Sequence, residues 1–152
     1  PHALTYALLS AHLIVFWLSQ DSNVTPPVAL AAFTGAAIAG TKPMATGFQS
    51  WKLAKGLYII PLLFAYTPFI GGSWIDDFTI FFFALFGLYA FAAGLEGFME
   101  ARVTLPVRLL SVGCAVALLW PASVWVHLVG LIVLIVLFMG SFRKSRRETA
   151  AV

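Results

Sequence analysis

Charged residues are scarce in this sequence, and cysteine is nearly absent. Only 10% of the 152 residues are Asp, Glu, Lys or Arg, whereas 61% are hydrophobic. This balance excludes an ordinary soluble globular domain, whose water-exposed surface carries more charge. The single cysteine, Cys114, has no partner for an intrachain disulfide, and we expect it to be a small buried residue without a chemical role. The composition therefore predicts that lipid surrounds most of the chain.

The apolar residues fall into runs of the length that membrane helices require. A bilayer core about 30 Å thick needs roughly 20 apolar residues per helical crossing, so this chain has room for about five or six helices. We predict an all-α integral membrane protein with about five to six transmembrane or half-membrane helices. The net charge of +3 does not indicate nucleic acid, because the basic residues form two short clusters beside apolar runs, as in cytoplasmic loops.

A polar segment, residues 20–27, interrupts the first long apolar run, residues 4–40. An unbroken helix over that run would overshoot one membrane crossing at about 1.5 Å per residue. The two consecutive prolines in the segment remove amide donors and disfavour helix just before them. We predict half-helices over residues 4–21 and 28–40, broken at Thr25-Pro26-Pro27. The segment 20–27 is called the polar break below.

The rest of the chain divides into loops and further apolar runs. Loops rich in Lys and Arg are expected in the cytoplasm, because these residues concentrate on that side of the membrane. The last two apolar runs are either two tilted spans or one re-entrant pair. The predicted elements are a cytoplasmic loop over 41–54, a span over 55–70, an external loop over 71–77, a span over 78–95, short apolar runs over 107–120 and 125–140, and a basic cytoplasmic tail over 141–152.

The polar break contains the residue types of a cation site. Irregular backbone at membrane depth must be buried in protein or line a wet cavity. Ser22, Asn23 and Thr25 offer neutral oxygens, the prolines free carbonyls over residues 24–26, and Asp21 is ionisable. A hard cation such as sodium takes oxygen ligands of this kind, and amides at the start of the second half-helix would face the same pocket. The alternative, a Pro-kinked helix whose hydroxyls only satisfy the freed backbone, stays open.

Elsewhere the sequence offers little catalytic chemistry. It contains no nucleophile beside a base, no metal-ligand cluster and no phosphate-binding loop. Glu96 and Glu100 are one helical turn apart, but they lie beside Arg102 at a predicted membrane edge and are expected to be solvated. We therefore do not expect an enzyme or a metal site other than one for sodium.

The polar break and the residues after it resemble the large membrane subunit of tripartite ATP-independent periplasmic (TRAP) transporters. The resemblance is to fused permeases that work with TAXI-type binding proteins, and it covers roughly the first 70 residues. The resembling segments are 19–30 (SQDSNVTPPVAL), 36–40 (AAIAG), 42–47 (KPMATG), 52–58 (KLAKGLY) and 66–68 (YTP).

In that family a Thr-Pro-Pro segment interrupts a late helix of the transport domain and helps to build a sodium site near the substrate. The resemblance implies that residues 1–73 are the C-terminal end of the transport core and residues 74–152 a C-terminal extension. The implied sodium-site residues are Asn23, Val24, Thr25 and Pro26. The implied neighbours of the substrate are Asp21, Ser22, Thr25 and Pro27.

The resemblance also implies an activity, which is import of a small organic anion, such as a carboxylate or dicarboxylate, coupled to sodium. A soluble periplasmic binding protein would deliver the substrate to the bacterial inner membrane, and no cofactor besides sodium is implied. The other transport helices are absent from these residues, and the sequence begins at Pro1 without a signal-peptide pattern, so we expect a truncated or processed chain that works with the remaining permease helices. The alternative is a small structural or assembly subunit of another membrane complex, whose polar break would face a partner helix.

Overall fold

The structure, a computed structural model, describes residues 2–150 and is α-helical. In this range no strand is formed, and only an isolated bridge pairs Phe98 with Arg102. A 3₁₀-helix, Ala54–Tyr58, lies between the third and fourth α-helices. The α-helices are α1 (His2–Asp21), α2 (Leu30–Ala39), α3 (Pro43–Leu53), α4 (Ile60–Tyr66), α5 (Trp74–Glu96), α6 (Leu105–Leu119) and α7 (Val124–Thr149).

Three of these helices are long and apolar enough to cross a membrane, namely α1, α5 and α7. The helices α2 and α6 are apolar but shorter. The 15 residues of α6 span about 22 Å, less than a bilayer core of about 30 Å. With α1 ending before the two prolines and α2 beginning after them, the predicted fold class is confirmed as an all-α membrane protein whose first apolar run is broken.

The chain divides into two compact units, Pro1–Ser73 and Trp74–Val152. In the first unit α1 packs against α4 and the 3₁₀-helix, and α2 packs against α3. In the second unit α6 packs between α5 and α7. The assignment of the two units to a transport core and a C-terminal extension stays a prediction.

The second unit is held together by close packing of α5 on α6. A Cβ atom at Gly94 would lie 2.6 Å from Val112 Cγ2 and 3.0 Å from the Arg108 carbonyl oxygen, so only glycine fits there. Small residues of this kind let membrane helices approach closely. The Arg108 guanidinium then donates to the carbonyls of Gly94 (3.0 Å) and Leu95 (2.8 Å). Its charge complements the negative end of the α5 dipole.

Several element bounds in the first unit differ from the prediction. The predicted loop 41–54 contains α3, in which Pro43 supplies a first-turn residue with a fixed helical φ. The predicted span 55–70 is divided into the 3₁₀-helix and α4. The seven residues of α4 cover only about 10 Å. Thr67 has extended backbone, with φ −125° and ψ 157°, as expected for the residue before Pro68.

Two bounds in the second unit also differ. The predicted external loop 71–77 ends early, because α5 already begins at Trp74 and has Asp76 and Asp77 in its first turn. Carboxylates there are stabilised by the positive end of the helix dipole. At the other end of the unit, α7 continues through the predicted basic tail as far as Thr149, with Arg146 and Arg147 in its last turn.

Candidate cation site at the polar break

The polar break leaves α1 through a tight backbone turn. The Asp21 carbonyl accepts hydrogen bonds from the amides of Val24 (3.1 Å) and Thr25 (2.9 Å), and the Gln20 carbonyl accepts from Asn23 (3.1 Å). The two prolines follow this turn. The Thr25 carbonyl accepts from the Ala29 amide at 3.0 Å. The turn therefore places Asp21 and Thr25 side by side at the end of α1.

The start of α2 is fixed by an unusual residue, Ala29. Its backbone is left-handed, with φ 37° and ψ 44°, and its side chain is fully buried. This conformation costs an L-residue about 1–2 kcal/mol. The Ala31 amide donates to the Asn23 carbonyl at 3.0 Å. This bond holds the N-terminus of α2 directly against the polar break.

Helix α3 packs against the polar break at Gly47. A Cβ atom at Gly47 would lie 3.1 Å from Phe33 Cε1, 3.2 Å from Pro26 Cγ and 3.6 Å from Ala29 Cβ. These distances leave almost no room for a side chain. The segment predicted as a loop thus packs against the polar break at Pro26, a contact that the sequence did not predict.

Asp21 is the most unusual side chain of the site. It is only 6% exposed, and neither carboxylate oxygen has a hydrogen-bond partner within residues 2–150. It is the last residue of α1, where the negative end of the helix dipole disfavours an anion and favours a cation. Burying an ionised carboxylate without a partner costs several kcal/mol. An ionised carboxylate at this position therefore requires a positive counter-charge.

A second polar group without a partner lies one helical turn before Asp21. The indole Nε1 of Trp17 is buried and has no hydrogen-bond partner in the described part of the chain. Residues four apart share one face of a helix, so Trp17 and Asp21 lie on the same side of α1. The Trp17 ring also makes an edge contact with Phe64 of α4, at a centroid distance of 6.1 Å.

The Thr25 hydroxyl is hydrogen-bonded to the hydroxyl of Tyr58, at the end of the 3₁₀-helix. Tyr58 was not among the predicted site residues. A threonine oxygen has two lone pairs and one proton. Even with Tyr58 as donor, it retains one lone pair for a cation.

The remaining predicted residues divide by burial and by hydrogen bonding. Asn23, Val24 and Pro26 are half-buried, whereas Ser22 and Pro27 are exposed. The Ser22 hydroxyl donates its proton to the Ser19 carbonyl in α1 at 2.7 Å, which directs it toward the last turn of that helix.

Only some of the carbonyls expected to be free are free. Of the carbonyls of residues 24–26, that of Thr25 accepts from the Ala29 amide, whereas no backbone bond in residues 2–150 reaches those of Val24 and Pro26. The neighbouring Asn23 carbonyl accepts from the Ala31 amide. The Ala31 amide belongs to the start of the second half-helix, where amides were expected to face the pocket, and it is occupied by this bond. The oxygens open to a cation are the Asp21 carboxylate, the Asn23 amide, the Thr25 hydroxyl and the Val24 and Pro26 carbonyls.

Other titratable groups do not enlarge the site. The His12 ring bonds through Nδ1 to the Leu8 carbonyl at 2.7 Å, within its own helix. No group of three or more His, Cys, Asp or Glu side chains within the described residues could hold a metal ion. Within the described residues, the polar break contains one buried carboxylate, that of Asp21.

Comparisons with protein-family models, curated proteins and solved structures found no match to this chain. The fold and the site define the class directly: an all-α membrane protein with a buried carboxylate at a proline-broken helix.

Proposed function

We propose that this chain is the C-terminal portion of the permease of a sodium-coupled secondary transporter of the TRAP type. The transporter imports a small organic anion, such as a carboxylate, across the bacterial inner membrane. The observation that carries the proposal is the Asp21 carboxylate, which is buried at the end of a broken helix without a hydrogen-bond partner in residues 2–150. Broken helices of secondary transporters present such C-terminal ends to the coupling cation.

In this proposal sodium supplies the counter-charge that Asp21 lacks. Its ligands come from the Asp21 carboxylate, the Thr25 hydroxyl and the Val24 and Pro26 carbonyls, with the Asn23 side-chain amide completing the set. A bound cation offsets the cost of the buried carboxylate. Sodium binding therefore favours the state in which the polar break is ordered and closed, which is how an ion biases a conformational equilibrium.

The same charges revise the expected role of Asp21. The resemblance made it a neighbour of the substrate, but a carboxylate repels an organic anion in a medium of low dielectric. We therefore assign Asp21 to the cation. The anion lies on the exposed side of the break, beside Ser22 and Pro27, and is attracted by the sodium ion.

The remaining permease helices and a periplasmic binding protein are the partners that this proposal requires. In the first unit, both half-helices carry large apolar side chains that are exposed, including Phe16 and Ile38. Neighbouring helices of the complete permease would cover part of this surface. The basic end of α7 is assigned to the cytoplasm, where Lys and Arg accumulate.

The second candidate is a structural or assembly subunit of another membrane complex. The buried Trp17 Nε1 and Asp21 carboxylate favour this second candidate, because polar groups of a partner helix could form hydrogen bonds with both. In that case the polar break holds a protein partner in place of an ion.

Transport measurements separate the two candidates. The complete permease is reconstituted in proteoliposomes, and uptake of its substrate is measured against sodium concentration. We expect Asp21→Asn, Asn23→Ala and Thr25→Ala to weaken the apparent sodium affinity at least about tenfold, because each removes a charged or polar ligand. Glu100→Gln, which removes an exposed carboxylate, is the matched control and leaves the affinity unchanged.

Unchanged sodium dependence in all three site variants would show that the site assignment is wrong. If uptake is independent of sodium in the wild type, and Asp21→Asn instead prevents recovery of the assembled complex, the structural subunit is the better account.

A further inference from the structure

A groove in the second unit joins an apolar wall to a basic end. It has a volume of about 250 Å³ and lies between α7, the start of α6 and the connection that precedes α6. Val107 and Val136 contribute to its apolar wall, and Arg102 and Lys144 to its basic end. We call it the α6–α7 groove. It lies within the second unit, so nothing said of it depends on the proposed transport function.

The basic end of the groove is held in place by hydrogen bonds. The buried Ser141 hydroxyl accepts from the amides of Glu100 (3.2 Å) and Ala101 (3.0 Å). The Lys144 ammonium donates to the Arg102 carbonyl at 2.9 Å. These contacts fix the connection before α6 onto α7. The Lys144 ammonium and the backbone of Arg102 are therefore held together at this end of the groove.

The groove lies where the apolar stretch of α7, a candidate membrane span, passes into its basic end. This end carries Arg143, Lys144, Arg146 and Arg147, and the candidate span ends at Arg147. In a helix that spans a membrane, such a transition lies at the depth of the lipid phosphates, and basic pockets between helices bind anionic head groups there. Arg102 has an exposed side chain that ends in a guanidinium. Such a guanidinium can bind two phosphate oxygens at once.

We propose that the α6–α7 groove binds one molecule of an anionic glycerophospholipid. The phosphodiester accepts hydrogen bonds from Arg102 and Lys144, and an acyl chain lies along Val107 and Val136. Gly140 leaves the space for that chain, since a Cβ atom there would meet nothing within 4 Å. Charge complementarity at one end and an apolar wall at the other identify a lipid in preference to a free phosphate.

A second apolar groove of the same unit provides an internal control. It has a volume of about 380 Å³ and is lined by apolar residues of α6 and α7, including Gly113 and Val129, with no basic residue. An apolar wall alone would give both grooves the same lipid preference. The basic end would give only the α6–α7 groove a preference for anionic lipid.

The charge part of the proposal is tested by lipid retention. The purified chain is mixed in detergent with phosphatidylglycerol or phosphatidylcholine, and bound lipid is counted by native mass spectrometry. We expect one phosphatidylglycerol to be retained in preference to phosphatidylcholine. The double variant Arg102→Gln/Lys144→Gln lowers this retention at least about tenfold, because two charge-assisted hydrogen bonds are lost. Arg143→Gln/Arg147→Gln removes the same charge outside the groove and changes retention by less than about threefold.

The groove itself is tested by Gly140→Leu, which fills the space proposed for the acyl chain. Leucine is a good helix former, so α7 is retained, as circular dichroism would verify. We expect loss of phosphatidylglycerol retention in Gly140→Leu but not in Gly113→Leu, which fills the control groove. Three results would overturn the proposal: equal losses in both double variants, normal retention in Gly140→Leu, or displacement of the lipid by equimolar glycerol phosphate.

Discussion

The contact between the Thr25 and Tyr58 hydroxyls allows the sharpest test of how the polar break is organised. Tyr58→Phe removes one oxygen and leaves the aromatic ring in place. The Thr25 hydroxyl, half-buried between α1 and the 3₁₀-helix, then loses the partner that orients its lone pairs. Net hydrogen bonds of this neutral kind contribute about 0.5–1.5 kcal/mol.

That free energy converts directly into ion affinity if Thr25 is a sodium ligand. We expect the apparent sodium affinity of the complete permease to fall by about two- to tenfold in Tyr58→Phe. Maximal uptake at saturating sodium should change much less, because the carboxylate of Asp21 is retained. The assay is substrate uptake into proteoliposomes over a range of sodium concentrations.

Tyr66→Phe is the matched control, because Tyr66 lies on the adjacent α4 and its side chain is 69% exposed. It should behave as the wild type. If Tyr58→Phe and Tyr66→Phe gave the same sodium dependence, the contact would have no part in ion binding, and Thr25 would have to be removed from the ligand set.

Three further predictions concern the packing around the two units, each read from the free energy of unfolding in detergent by circular dichroism. Gly94→Ala should destabilise the chain by about 1–3 kcal/mol through overpacking, whereas Gly113→Ala, with no atom within 4 Å of the new Cβ, should stabilise it by about 0.5–1 kcal/mol. Ser141→Ala leaves two amides without their acceptor and should cost about 1–3 kcal/mol, against less than about 0.5 kcal/mol for Ser145→Ala. Ala29→Val places a β-branched residue at φ 37° and should cost about 1–3 kcal/mol. Wild-type stability in Gly94→Ala, Ser141→Ala or Ala29→Val would contradict the packing described.

The helix break was predictable because its cause is local. Consecutive prolines remove amide donors and bias the preceding residues wherever they occur, and α1 ends at Asp21 as predicted. The start of α2 was less predictable. The left-handed Ala29 delays it to Leu30, and no residue-type preference favours alanine in that conformation.

Helix α3 escaped prediction because hydropathy reports the depth of a segment in the membrane and not its backbone conformation. Lys42 and Lys52 flank residues that include Gly47 and Gln49, and this polar composition indicated a loop. Proline at the first turn was the available helix signal. A polar helix with Pro43 in its first turn accounts both for the polar composition and for the position of the proline.

The chemistry of the site depends on contacts that no local pattern contains. Thr25 and Tyr58 are 33 positions apart, and the residue type of Asp21 does not predict its burial. Sequence reasoning found the oxygens of the polar break by residue type. It could not say that the Asn23 and Thr25 carbonyls would be occupied and that the Asp21 carboxylate would remain without a partner in the described chain.

Equilibrium binding of radioactive sodium to the purified complete permease tests the central claim most directly, because it requires neither substrate nor binding protein. We predict saturable sodium binding in the wild type and in Glu100→Gln, and its loss in Asp21→Asn. Saturable binding of wild-type strength in Asp21→Asn would contradict the assignment of the polar break as a cation site.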